Sequence, residues 1–187
     1  MKVAITGHTA GIGLALANLY RSLGHEVQGF SRTTGYNIAV ADDRARIIAD
    51  AHDCDVFINN AHDWYGDNFA EVTLFEALWQ TWKGQRRTIV NISSLLVAEQ
   101  RQPKSGLLYR SGKVALEDLS NFCQNENDWP MICVVRCPLV LTRFTSEANK
   151  LKPNIMSAET FAQIVYNMSS VSDARIRFVD VKNVPLE

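Results

Sequence analysis

Two rhythms of apolar and polar residues take turns along the chain. Short apolar runs without helical spacing alternate with longer segments whose apolar side chains recur three and four positions apart, the respective marks of buried strands and of helices with one apolar face. Lys2 to Thr6 reads as a first strand, and Gly11 to Leu23 as a helix with Ile12, Leu16, Leu19 and Leu23 on its stripe. Gly24 suits the position just past a helix end, and "EVQGF" from Glu26 to Phe30 gives a second strand. A helix near Ala41 to Ala51, the strand "DVFINN", a helix over about Phe69 to Lys83, the strand "TIVNIS" and a helix from about Gly106 to Gln124 follow. The strand "MICVVR", a loop after Pro138, a helix from Ala158 to Met168 and a last strand "RIRFV" complete the series.

Strands alternating with helices predict an α/β fold, a doubly wound, mainly parallel sheet with helices on both faces, reached by right-handed crossovers. "TIVNIS" and "MICVV" are apolar at consecutive positions, as strands covered on both faces are. No repeat, low-complexity tract or flexible linker interrupts the series, so one domain over residues 1–187 is expected.

Composition narrows the partners. With 187 residues and 47% hydrophobic content the chain can bury one sizeable core. A formal net charge of -1 supplies no field for a polyanion, which argues against a nucleic-acid partner. The densest basic run, "KGQRR" at Lys83 to Arg87, reads as a solvated connection between helix and strand. Apolar runs fall short of the roughly 20 residues a membrane-spanning helix needs, and the start of the chain lacks the pattern of a secretory signal. A soluble, cytoplasmic protein without a membrane partner is therefore expected. Cys54, Cys123, Cys133 and Cys137 show no C-x-x-C spacing and read as reduced, mostly buried thiols, with no metal site.

Between the first strand and the first helix stands "TGHTAGIG", with glycines at 7, 11 and 13. This is the carboxyl end of a parallel strand, where open α/β sheets bind their ligands. Glycines there let the backbone approach a diphosphate, and the free amides of the helix start donate to it. The spacing is not that of a phosphate loop of nucleotide-triphosphate hydrolases. The second strand ends in Phe30-Ser31-Arg32 and offers no acidic residue for a ribose 2'-hydroxyl. Arg32 and Ser31 instead suit a 2'-phosphate, so NADP is the preferred cofactor, with NAD possible.

With these residues placed, the sequence resembles the short-chain dehydrogenase/reductase family. "TGHTAGIG" is similar to its T-G-x-x-x-G-x-G cofactor turn, "NNAH" at Asn59 to His62 to its N-N-A-G, and "NISS" at Asn91 to Ser94 to its serine-bearing strand end. "YRSGK", Tyr109 to Lys113, resembles its Y-x-x-x-K pair, and "RCPLVLT", Arg136 to Thr142, its proline-containing segment at the nicotinamide. The resemblance implies a Rossmann-like fold with Tyr109 as general acid/base, Lys113 holding the nicotinamide ribose and tuning Tyr109, and Ser94 stabilising the reacting oxygen. Counting back from Ser94 brings Asn68 near the family's fourth catalytic position. It further implies cofactor contacts from Gly7, Thr9, Gly11, Ile12, Gly13, Ser31, Arg32, Asn37, Asn60, Ala61, Tyr109, Lys113, Pro138, Val140 and Thr142. Pairing of subunits through the helices about 69 to 83 and 106 to 124, as a homodimer or homotetramer, follows from the same resemblance, with Trp79 and Trp82 lying on the first of them.

The Tyr and Lys roles also have a physical basis. Residues at i and i+4 share a helical face, and a cation about 4 Å from a phenol interacts with its anion by roughly 4 kcal/mol at an effective dielectric of 20. That is enough to draw a phenol with an ordinary pKa of about 10 toward neutrality. The chain departs from the family pattern at His62, which replaces a glycine and reads as a turn residue near the cofactor, and at Leu139, which replaces the glycine after the proline. The interval from Ser94 to Tyr109 is longer than usual, and material is lost before the helix at Phe69 and after Thr142. The function expected is hydride transfer between a nicotinamide and a small carbonyl or alcohol substrate. The alternative is a catalytically weak dinucleotide-binding sensor or scaffold.

Overall fold

The computed structural model describes residues 1–64, 66–98, 106–143, 145, 155–171 and 174–184. Eight strands run through them, β1 (Lys2–Thr6), β2 (Glu26–Phe30), β3 (Val56–Asn59), β4 (Thr88–Ser94), β5 (Met131–Cys137), β6 (Val140–Leu141), β7 (Met156–Ser157) and β8 (Phe178–Asp180). The helices are α1 (Gly11–Ser22), α2 (Ala41–Asp50), α3 (Ala70–Trp82), α4 (Leu107–Glu126) and α5 (Ala158–Ser169). Six strands form one sheet in the order β2-β1-β3-β4-β5-β8, and every neighbouring pair in it is parallel. The chain runs outward from β1 to β2 and returns past β1 to β3, so the order reverses there and leaves a crevice at the carboxyl ends of β1 and β3.

Strand alternation sorts the core into two layers. Val3 and Ile5 of β1, Val56 and Ile58 of β3, Val90 and Ile92 of β4 and Val135 of β5 pack with Leu16 and Tyr20 of α1 and Phe161 and Val165 of α5. Ala4, Phe57, Ile89 and Ile132 point the other way, against Ile47 of α2, Leu74, Phe75, Leu78, Trp79 and Trp82 of α3, and Leu116 and Cys123 of α4. Trp79 and Trp82 are thus core residues, and the thiols of Cys54, Cys123 and Cys133 are buried without disulfide partners. Among the described residues no helix is long and apolar enough to cross a membrane.

Two small departures from the expected elements have local causes. The last strand forms at Phe178–Asp180 rather than over Arg175–Val179, because it pairs only with Val134 to Arg136 in the second half of β5. The loop after Pro138 contains a two-residue parallel pair, Val140–Leu141 with Met156–Ser157, too short to leave a periodic trace in the sequence.

Buried polar residues fix the carboxyl edge of the sheet. Thr6 Oγ1 accepts from the backbone N–H groups of Asn60 (2.9 Å) and Ala61 (3.0 Å), and Asn60 Nδ2 donates to the Thr6 carbonyl at 2.9 Å. Asn59 Nδ2 donates to Asn91 Oδ1 and to the Glu71 carbonyl, both at 3.0 Å, and Asn91 Nδ2 reaches Ser120 Oγ at 2.9 Å. This line ties β3 and β4 to the start of α3 and the middle of α4. At Gly13 a Cβ would lie 2.2 Å from the Gly7 carbonyl oxygen and 2.7 Å from Asn60 Nδ2. Backbone cannot yield there, so Gly13→Ala is expected to lower stability by about 1 to 3 kcal/mol, read as a lower Tm.

Candidate active site

A cleft of about 340 Å³ runs along the carboxyl edge of the sheet. At one end the glycine turn meets the start of α1, whose N-cap residue Ala10 makes no side-chain cap bond and whose first turn holds no acidic residue. The first amides of α1 therefore keep no side-chain acceptor of their own, which suits an anionic diphosphate. Gly7 and Gly11 both adopt positive φ, +73 and +53 degrees. Beside the turn, Ser31 Oγ and Thr33 Oγ1 share a hydrogen bond of 2.8 Å, and Thr33 Oγ1 donates to Thr9 Oγ1 at 3.3 Å. Arg32 is exposed next to these hydroxyls, lines the cleft and makes no ion pair among the described residues. These groups fit a phosphate-bearing nucleotide.

At the other end α4 presents Tyr109 and Lys113. The Ser94 hydroxyl accepts from the Leu96 N–H at 3.3 Å and lies close enough to Tyr109 to pull its phenol down, while Ser93 Oγ donates to Glu117 Oε1 at 2.5 Å and Arg136 Nη2 to Glu117 Oε2 at 2.7 Å. Consecutive residues of a strand face opposite ways; Ser93, committed to Glu117, lines the cleft, and Ser94 bears on the phenol. Lys113 Nζ lies 5.6 Å from the Tyr109 ring centre. It donates to the Ile92 carbonyl and to Glu71 Oε2, each at 2.8 Å. Glu71, on the first turn of α3, has a fully buried side chain, and its Oε1 lies 3.4 Å from His62 Nδ1. His62 Nε2 is buried with no partner among the described residues. The His62 ring stands edge-on to Tyr109 at 4.8 Å, and Trp64 stacks on Tyr109 at 4.8 Å with 20 degrees between planes.

Charge in this cluster is settled by mutual contact. Burial pushes the Glu71 carboxyl up, but the Lys113 ammonium and His62 outweigh it and hold the group below the ordinary carboxylate value. Burial disfavours the Lys113 ammonium, yet Glu71 and Tyr109 keep its pKa above that of an ordinary lysine. The Tyr109 phenol stands above its ordinary value because burial dominates, with Lys113 and Ser94 pulling down and Glu71 and Cys137 pushing up. The net lowering expected from Lys113 alone is thus not the outcome, because burial outweighs it. Cys137, beside the pair, is pushed up to about 12 by burial and remains a thiol at neutral pH.

No protein-family model matches this sequence, and no curated protein matches it significantly. Solved structures do. A short-chain dehydrogenase/reductase from Vibrio parahaemolyticus superposes with a TM-score of 0.80 at 18% identity, over 98% of this chain and 100% of that one. A 3-ketoacyl-(acyl-carrier-protein) reductase from Brucella melitensis, complexed with NADH, gives 0.79 at 17%, over 96% of each chain. An alcohol dehydrogenase from the archaeon Thermococcus sibiricus, complexed with 5-hydroxy-NADP, gives 0.76 at 20%, over 98% of this chain and 97% of that one. The fold is that of the short-chain dehydrogenases and reductases.

On this short-chain dehydrogenase fold the residues singled out in the sequence, apart from Ser94 at the buried end of β4, separate into three groups. Gly7, Thr9, Gly11, Ile12, Ser31, Arg32, Asn37, Asn60, Ala61, Tyr109, Lys113 and Thr142 all line the one cleft. Gly13 lies beneath it against Gly7, Val140 is buried in β6 with its carbonyl accepting from Thr145 Oγ1, and Pro138 meets Cys137 Sγ through its carbonyl oxygen at 3.3 Å. Asn68 is not among the residues that line the cleft. Its amide donates to the Gly66 carbonyl at 3.4 Å, and its own carbonyl lies where a Cβ on Gly112 would be 2.2 Å away. The side chain that reaches Lys113 from the start of α3 is Glu71, three residues further on. His62 is more than a turn residue, because it contacts both Glu71 and Tyr109.

Proposed function

We propose that this protein is an NADP-preferring oxidoreductase that transfers a hydride between the nicotinamide and a carbonyl or alcohol substrate, with Tyr109 as general acid/base. The observation that carries the reading is the convergence of Tyr109, Lys113 and the glycine turn on one cleft. The first amides of α1 and the glycine backbone would hold the diphosphate, Arg32 the 2'-phosphate, and Lys113 the ribose near Tyr109. When bound, the cofactor supplies or accepts the hydride. Tyr109 then donates or takes the proton at the substrate oxygen, and Ser94 steadies that oxygen by a hydrogen bond. Trp64 and His62 narrow the space beside the phenol to a small, partly aromatic substrate site.

Fluorescence titration with NADPH and NADH, followed by oxidation of the reduced cofactor with a panel of aldehydes and ketones, tests the reading. Binding without turnover of any carbonyl would leave a dinucleotide-binding sensor or scaffold instead. Arg32→Glu is expected to weaken NADPH about tenfold or more and NADH far less, because a charge-assisted bond to phosphate turns into repulsion. Equal weakening of the two cofactors would remove the NADP preference.

The same reading includes pairing of subunits through α3 and α4 as a homodimer or homotetramer. Its support is the exposed apolar pair Val114 and Phe122, 38% and 56% accessible and two turns apart on α4. Trp79 and Trp82, turned into the core, take no part in it.

A further inference from the structure

An ammonium carries three N–H groups. Two of those on Lys113 are committed, to Glu71 Oε2 and to the Ile92 carbonyl oxygen. The carboxylate that receives one of them is held from both sides. Its backbone carbonyl accepts from Asn59 Nδ2, and its second oxygen meets His62. Glu71 is therefore fixed against Lys113 by the strand edge itself. An unpaired buried ammonium next to Tyr109 would favour the phenolate, and a carboxylate on that ammonium removes the pull.

We propose that Glu71 is a positioning residue that cancels the Lys113 charge beside Tyr109 and keeps the phenol protonated, fitting the site to carbonyl reduction; this rests on Tyr109 being the proton-transfer group. The titratable and polar groups facing Tyr109 come from five elements: Lys113 of α4, Glu71 of α3, His62 after β3, Ser94 ending β4 and Cys137 ending β5. Cys137 carries no charge at neutral pH, so Lys113 and Glu71 are the charges that act on the phenol, in opposite directions, on top of the burial that raises it. In reduction a bound reduced nicotinamide would supply a hydride, with its electron pair, to the carbonyl carbon. The C=O π pair moves onto oxygen, which takes the Tyr109 proton, giving the alcohol, the oxidised nicotinamide and a phenolate that regains a proton from solvent. A phenol that starts each turnover protonated is ready for this direction. Alcohol oxidation requires the phenolate, which the Glu71 charge makes scarce.

The test reads Tyr109 directly, without substrate or cofactor. Protein labelled with 13C at tyrosine Cζ is titrated by NMR from pH 7 to pH 11, with Tyr109→Phe assigning the resonance. Glu71→Gln is expected to lower the Tyr109 midpoint by about one pH unit or more. In Glu71→Gln/Lys113→Met, with both charges gone, the midpoint returns toward wild type. An unmoved midpoint in folded Glu71→Gln overturns the proposal, as does a double variant titrating as low as the single one. Should circular dichroism show Glu71→Gln unfolded, Glu71→Asp, whose charge is drawn back by one methylene, replaces it with a smaller lowering expected. If Tyr109→Phe keeps full turnover, the proposed function fails whatever the titration shows. If the titration alone does not move, only the Glu71 role fails.

Discussion

Replacing Tyr109 with Phe is expected to lower kcat/KM for carbonyl reduction by about 10²- to 10⁴-fold, the usual contribution of a positioned proton donor. In free energy this is about 3 to 5 kcal/mol of lost transition-state stabilisation. The substitution isolates the hydroxyl. The ring stays in contact with both Trp64 and His62, so the aromatic contacts of the wall survive. Lys113 keeps both its bonds, to Glu71 and to Ile92, because neither involves the phenol. NADPH should accordingly bind within about twofold of wild type, a difference below 0.5 kcal/mol. Paired measurements of cofactor affinity by fluorescence and of turnover by loss of reduced nicotinamide separate the two effects. Turnover that survives in Tyr109→Phe would move the proton donor elsewhere, with His62, edge-on to the ring at 4.8 Å, as the group to replace next.

Lys113→Met carries the largest expected effect on stability. Lys113 and Glu71 have side chains 3% and 0% exposed, and removing one partner of a buried pair leaves the other charge without compensation, a loss of about 3 to 5 kcal/mol. Urea denaturation at neutral pH reads it. The pH dependence has a definite sign. In the wild type the Glu71 pKa is lowered on folding, so its contribution is present above the unfolded carboxyl value of about 4.3 and is lost as pH falls through the folded value. In Lys113→Met burial is no longer opposed by the ammonium, the folded pKa rises, and the penalty fades as the carboxyl protonates. The gap between wild type and variant should therefore narrow on acidification. Adding Glu71→Gln should recover part of the loss at pH 7, since the interior then holds neither charge. A variant as stable as wild type at neutral pH would mean that the pair contributes nothing to folding.

How far the site could be read from sequence depends on how local each signal is. The glycine turn follows a strand and opens a helix within a dozen residues, and Tyr109 and Lys113 share one helical face, so both announce themselves in a short window. The six strands of the main sheet were legible because β3, β4 and β5 are apolar at successive positions, as strands covered on both faces must be. Glu71 was not legible. It sits between Ala70 and Val72 in an ordinary amphipathic pattern, where an acidic residue in the first turn reads as a solvated complement to the helix dipole. Its burial is imposed by Lys113, 42 residues later in the chain. Counting back from Ser94 points to Asn68, whereas the side chain that meets Lys113 is Glu71, three positions on, and the described residues of the loop after β3 form no helix that would fix the register of α3. For Ser93 the deciding partner is Glu117, 24 residues later in the chain.

The order of the sheet has a consequence for how the chain acquires its structure. β1 lies between β2 and β3, with Val3 opposite Val27 on one side and Val56 on the other. A nascent chain emerging from the ribosome can pair β1 with β2 early, but the second edge of β1 stays open until more than fifty residues have followed it. β5 likewise waits for β8, whose Phe178 aligns with Val134. Contacts this distant make loop closure the slow step, so refolding is expected to run in milliseconds to seconds rather than microseconds. During that interval the apolar edges of β1 and β5 are the surfaces through which the unfinished protein would aggregate.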